Sequence, residues 1–137
     1  MSARILVVDD LEANRRLLEA LLTADYYEVL MATRGEEGVQ LAKREKPDLI
    51  LMDVMMPGGI DGYEACRRLK SMPETRHIPV VILTTLDDRD NRVRGLQSGA
   101  EEFLTKPIDD VQLMARVKSL LTLKVVTDEL RAREASS

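Results

Sequence analysis

The sequence predicts an α/β protein in which one five-stranded parallel sheet carries helices on both faces. Two observations predict it. Short β-rich apolar runs alternate five times with segments of helical periodicity, in units of roughly 20 to 25 residues. Proline or glycine punctuates the joins, as at Pro47, Pro57-Gly58-Gly59, Pro73, Gly99 and Pro107. No internal repeat, low-complexity segment or second-domain pattern interrupts the rhythm.

The elements follow in order. Arg4 to Val8 is a short apolar strand ending at Asp9-Asp10. Leu17, Leu18, Leu21 and Leu22 recur at helical spacing, so about 12–24 is expected as an amphipathic helix. Tyr26-Tyr27 leads into a second strand, Val29 to Ala32, and Gly35 opens a helix carrying Val39, Leu41 and Ala42 that closes at Pro47. Strand three, Leu49 to Asp53, delivers one carboxylate to its end before the glycine turn. A third helix bears Tyr63, Cys66, Leu69 and Lys70 and stops before Pro73. Strand four runs from Pro79 to Thr84, its proline at the first position, where a missing N–H is tolerated. A polar helix over about 88–98 is stopped by Gly99. Its large apolar anchors are Val93 and Leu96, so its hold on the sheet is expected to be weak. Strand five is Phe103 to Thr105, and the last helix runs from about Asp109 toward Glu134. Leu113, Val117 and Leu120 can face the sheet, whereas Leu123, Val126 and Leu130 continue past it. Residues 1–122 are therefore expected to form the domain. Residues 123–137 are expected to extend the last helix as a linker or dimer contact.

Composition sets the bounds. The 137 residues suit one domain with a real core, at 45% hydrophobic and 32% charged. A net charge of -4 argues against nonspecific nucleic-acid binding. The single cysteine, Cys66, allows no internal disulfide and is expected to pack. With no signal-peptide pattern and no membrane-length apolar run, a cytoplasmic protein away from membranes is expected. His77 has no metal-ligand companion, Tyr26-Tyr27 reads as a loop anchor, Thr85 as packing or capping, and the methionines Met52, Met55 and Met56 as mostly packing.

In a parallel sheet of this kind, ligands bind at the carboxyl ends of the strands. Asp9-Asp10, Asp53, Thr84-Thr85 and Lys106 all fall at that edge. Three carboxylates together need a cation, since each like-charge pair at about 4 Å and an effective dielectric of about 20 costs about 4 kcal/mol. Lys106 supplies one charge, and a hard divalent ion such as Mg²⁺ answers the excess. The chemistry this permits is phosphoryl transfer to a carboxylate, with Asp53 as nucleophile and Thr84 and Lys106 on the phosphoryl oxygens. Taken singly, Asp9 and Asp10 would read as helix caps and Lys106 as a solvated lysine. Their convergence favours the site.

Asp9-Asp10, Asp53-Val54-Met55-Met56-Pro57, Asp61-Gly62, Thr84 and Lys106-Pro107 stand in one register that resembles the bacterial response-regulator receiver domains. The resemblance covers essentially the whole ordered length. It implies a flavodoxin-like doubly wound (βα)5 fold, strand order 2-1-3-4-5, with an extended C-terminal helix. Asp53 is implied as phosphoacceptor from a histidine kinase or phosphotransfer protein, and self-catalysed transfer to and hydrolysis from Asp53 come with that role. Metal ligands are implied at Asp10, at Asp9 largely through water, at Asp53, and at the backbone carbonyl of Met55, with Mg²⁺ expected and Mn²⁺ as an alternative. Thr84 and Phe103 are implied as the conformational switch, Lys106 as the phosphate-binding cation, and Lys106-Pro107 as a cis bond. Met55 and Leu86 are expected to flank the path of attacking water.

More narrowly, Ala13-Asn14, Arg76 to Val81, Phe103 to Asp110 and Asp128 to Arg131 resemble the first receiver of PleD-type diguanylate cyclase regulators. A second receiver-like domain and a cyclase domain follow in that family and are absent from this sequence, so no cyclase activity is assigned to it. The expectation is a piece of such a protein or a stand-alone relative. Gly99-Ala100-Glu101-Glu102-Phe103 echoes the cyclase signature but leads straight into strand five. One departure stands out: three residues, not two, separate Pro57 from Asp61-Gly62, so a longer and more mobile loop is expected over the site. The output face is expected to be the polar helix, strand five and the last helix, which with the helical extension also offers a homodimer contact. A small Mg²⁺-dependent aspartyl-phosphate phosphatase is the alternative, although its Asp-x-Asp motif and cap are missing. A flavin-binding module is disfavoured by the acidic loops.

Overall fold

The computed structural model describes residues 2–86 and 88–136; Met1, Asp87 and Ser137 lie outside the described residues, and with them the outer ends of the expected domain ranges. The chain alternates β1 (Arg4–Val8), α1 (Glu12–Ala24), β2 (Glu28–Ala32), α2 (Gly35–Glu45), β3 (Leu49–Asp53), α3 (Gly62–Ser71), β4 (Val80–Thr84), α4 (Arg89–Gln97), β5 (Glu102–Thr105) and α5 (Asp110–Ser136). All neighbouring strands pair parallel, in the order β2-β1-β3-β4-β5. The predicted fold class is therefore observed. Pro79 lies just before β4 rather than in it, yet its carbonyl accepts from Ile50 N at 2.9 Å, so it joins the ladder through the one polar group it has.

Central β3 is buried at every residue, and its side chains alternate between two core layers. Leu49 and Leu51 pack with Leu18 and Leu22 of α1 and Leu113 and Val117 of α5. Ile50 and Met52 pack with Val39 and Ala42 of α2 and with Ala65, Cys66 and Leu69 of α3. Cys66 is buried, as the packing role requires. Helix starts differ in how they satisfy their free N–H groups. Asp61 caps α3 by accepting from Glu64 N at 2.8 Å, and Asp88 caps α4 by accepting from Asn91 N at 2.8 Å.

Two packing expectations are corrected. Leu17 is 58% exposed, because Leu18 and Leu22, one turn apart, take the sheet-facing stripe and turn it outward. In α4 the expected anchors are outside: Val93 is 41% and Leu96 72% exposed, and Gly95 is the residue that α4 buries. The cause is Phe103. Its ring lies so close to Gly95 that a Cβ there would come within 2.7 Å of Phe103 Cδ2, so α4 seats on its glycine. At the chain's end α5 runs on past the sheet, with Leu123, Val125, Val126 and Leu130 all exposed. Among the described residues no helix is long and apolar enough to cross a membrane.

Candidate functional site

Because all five strands run the same way, every strand delivers its C-terminus to one edge. Asp9 and Asp10 follow β1, Asp53 ends β3, Thr84 ends β4, and Lys106 follows β5. One carboxylate oxygen from each of Asp9, Asp10 and Asp53 lies within 4.8 Å of the others. Asp9 is 1% and Asp53 6% exposed. Lys106 Nζ donates to Asp53 Oδ1 at 2.8 Å and stands 3.6 Å from Asp9 Oδ2. The sequence reading thus named residues that the fold does bring together.

Asp9 does not cap α1, whose N-cap is Leu11 without a side-chain bond. Instead Asp9 Oδ1 accepts from Leu11 N at 2.9 Å and Oδ2 from Asn14 Nδ2 at 3.2 Å, while Arg15 Nη1 donates to the Asp9 carbonyl at 2.8 Å. The first two bonds fix its carboxylate and the third its main chain. Burial pushes the Asp53 carboxyl above its ordinary pKa; the Lys106 hydrogen bond opposes this, and the charges of Asp9 and Asp10 add to it. One lysine against three carboxylates leaves a negative excess in a buried place. An all-oxygen, acid-rich donor set of this kind suits a hard divalent cation.

Thr84 is buried, and its Oγ1 accepts from Leu86 N at 3.0 Å. Its carbonyl accepts from Lys106 N at 2.7 Å, which ties the β4 end to the lysine's backbone. The Lys106-Pro107 bond is cis, as the resemblance implied. Beside these residues a cavity of about 460 Å³ opens between α1 and the segment after β5, lined by Leu17, Leu21, Thr85, Lys106, Pro107 and Ile108 among others. Thr85 therefore faces this groove.

With this geometry in place, the likeness to known proteins is specific. Residues 5–118 match the response regulator receiver domain family. The chain is 65% identical over 136 residues to the response regulator PleD of Caulobacter vibrioides, covering 99% of this chain and 30% of that protein. It is 44% identical to the protein PilH of Pseudomonas aeruginosa, covering 87% of this chain and 98% of PilH. This chain belongs to the response regulator receiver domains. The receiver domain of a sensor histidine kinase from Pseudomonas aeruginosa, solved with a magnesium ion coordinated in its active site cleft, superposes with a TM-score of 0.82 at 30% identity, covering 89% of this chain and 99% of that one. A response regulator from Chloroflexus aurantiacus superposes at 0.84 with 36% identity, covering 89% and 99%. The chain spans about a third of the length of the PleD regulators it matches.

In this receiver the loop after β3 has a definite seat. Met55 is exposed, Met56 is buried, and Gly58 adopts φ 92, which favours glycine. The lengthened turn leans on α2: Ile60 N donates to the Glu36 carboxylate at 3.3 Å, and a Cβ on Gly35 would come within 2.7 Å of Ile60 Cγ1. Sequence reasoning missed Glu36 as a tether, since nothing local links residues 24 positions apart. It also missed Asn14 and Arg15 beside Asp9. Gly62 has a stricter reason to be glycine: a Cβ would stand 2.2 Å from the Asp53 carbonyl oxygen. Phe103 is half-buried against Gly95, between β5 and α4.

Proposed function

We propose that Asp53 is the phosphoacceptor of this receiver, taking a phosphoryl group from a histidine kinase or histidine phosphotransfer protein. The observation that carries the reading is the pairing of buried Asp53 with Lys106 at 2.8 Å, inside a three-carboxylate cluster at the sheet edge. Asp9, Asp10, Asp53 and the Met55 carbonyl would hold Mg²⁺, or Mn²⁺ in its place. When bound, the metal supplies charge neutralisation for the carboxylates and the incoming phosphoryl oxygens. The remaining chemistry belongs to the chain. An Asp53 carboxylate oxygen bonds to phosphorus as the donor's P–N bond breaks, and the electron pair leaves with the donor imidazole. Lys106 and the Thr84 hydroxyl bind the equatorial oxygens as charge spreads over them. Hydrolysis of the acyl phosphate by water past Met55 and Leu86 resets the site without a separate enzyme.

Signalling follows from the same residues. The phosphoryl group adds charge of about -1.5 to -2, Thr84 turns from Leu86 N toward it, and Phe103 moves into the vacated space, altering the α4-β5-α5 face. Residues 1–122 form the receiver and the rest of α5 a linker or dimer contact. In a longer protein it would lead to a second receiver and a cyclase domain, in the cytoplasm and without direct nucleic-acid contact. Incubation with radiolabelled acetyl phosphate and Mg²⁺ tests the assignment. Label that EDTA prevents and Asp53→Asn abolishes is expected. Undiminished labelling of Asp53→Asn refutes it.

A further inference from the structure

Helix α4 seats Gly95 on Phe103 of β5 and is further tied by polar contacts to the start of α3. Arg94 Nη2 pairs with Asp61 Oδ2 at 3.2 Å, and the guanidinium carbon lies 4.6 Å from the centroid of the Tyr63 ring. The Tyr63 hydroxyl donates toward the Asn91 carbonyl at 3.2 Å or its side-chain oxygen at 3.3 Å. Tyr63 itself is fully buried, so these contacts rest on a fixed platform. Asp61 is fixed too, since its other oxygen caps α3 at 2.8 Å. This platform joins the acid edge directly: Gly62 N donates to the Val54 carbonyl at 3.0 Å, and Gly62 abuts the Asp53 carbonyl with no room for a Cβ. A continuous path therefore runs from the backbone of Asp53 through Gly62 and Asp61 to Arg94.

We propose that Arg94 is a positioning residue: with Asp61 and Tyr63 it forms a polar latch that holds α4 in its unphosphorylated arrangement and opposes the shift that phosphorylation drives. The direction rests on Asp53 being the phosphoacceptor and on the state in which the latch is closed. There Thr84 Oγ1 is engaged by Leu86 N and Asp53 Oδ1 by Lys106, the partners a phosphoryl group would displace. An exposed ion pair is weak, worth up to about fivefold in an equilibrium. In a helix whose Val93 and Leu96 are outside, no large apolar term overrides it.

The test combines amide hydrogen exchange with binding of beryllofluoride and Mg²⁺, in wild type, Arg94→Gln, Asp61→Asn and the double variant. Asparagine keeps an oxygen to accept from Glu64 N, so α3 stays capped. Each single variant should raise exchange of the α4 amides about threefold and leave β3 unchanged, with the double variant no worse than Arg94→Gln alone. By reciprocity beryllofluoride should bind about threefold tighter. Unchanged α4 exchange, additive effects in the double variant, or loosened α4 without tighter beryllofluoride binding would each overturn the latch. A wild-type response that is absent, or that persists in Asp53→Ala, instead sinks the phosphoacceptor reading; the exchange measurements then decide the latch alone.

Discussion

Helices α3 and α4 are neighbours of similar length, ten and nine residues, and both begin with an aspartate cap. Their attachments are opposite. α3 buries Gly62, Tyr63, Ala65, Cys66 and Leu69, half of its residues, against the sheet. α4 buries Gly95 and otherwise relies on Arg94, Asn91 and its cap. Hydrophobic burial is non-directional and hard to undo piecemeal, whereas polar contacts can be exchanged for others at small net cost. The helix beside the loop after β3 is thus a fixed wall, and the helix beyond it is held by contacts that can be exchanged.

Leucine substitutions on the two helices break or sharpen this contrast most directly. Leu69 is fully buried, so Leu69→Ala should destabilise the domain by about 2–5 kcal/mol in chemical denaturation. A smaller and pH-dependent effect is expected at Asp53, where the Lys106 bond offsets part of the cost of burial. Because its carboxyl titrates above its ordinary value in the native state, the native protein binds a proton more readily than the unfolded chain between the two pKa values. Stability attributable to Asp53 therefore falls as pH rises through that window, and the cost is fully present above it. With EDTA present, Asp53→Asn should be more stable than wild type at neutral pH, with the gap closing as pH drops through the window. A urea midpoint difference that does not change with pH would contradict this. The smallest effect should come from Leu96→Ala, within about 0.5 kcal/mol of wild type, because Leu96 is 72% exposed. A loss comparable to that of Leu69→Ala would mean that α4 is held as α3 is.

Most of the fold was legible because apolar runs and helical periods are local signals. β1, β3 and the start of α2 fall where the pattern put them, and β2 and β5 each begin one residue earlier. What local pattern misjudged was which side of a helix meets the sheet. Leu17, Val93 and Leu96 have the right chemistry for a core, but the packing of Leu18, Leu22 and Gly95 turned them out. The site was legible at the level of membership, since Asp9, Asp10, Asp53, Thr84 and Lys106 stand at strand ends. Their supports were not. Glu36 and Arg94 act on residues reached only through the folded chain, and Asn14 reaches Asp9 only once the turn into α1 is made.

The sequence by itself determined which groups would share an edge, because a chain that alternates strand and helix makes a parallel sheet and must bring every strand's C-terminus to the same side. Only the tertiary structure decided their relations. Lys106 bonds Asp53 at 2.8 Å while standing 3.6 Å from Asp9, burial raises the pKa of the Asp53 carboxyl, and Arg94 crosses from α4 to Asp61. Each depends on distances between residues far apart in the chain, and on the water that packing removes from between them.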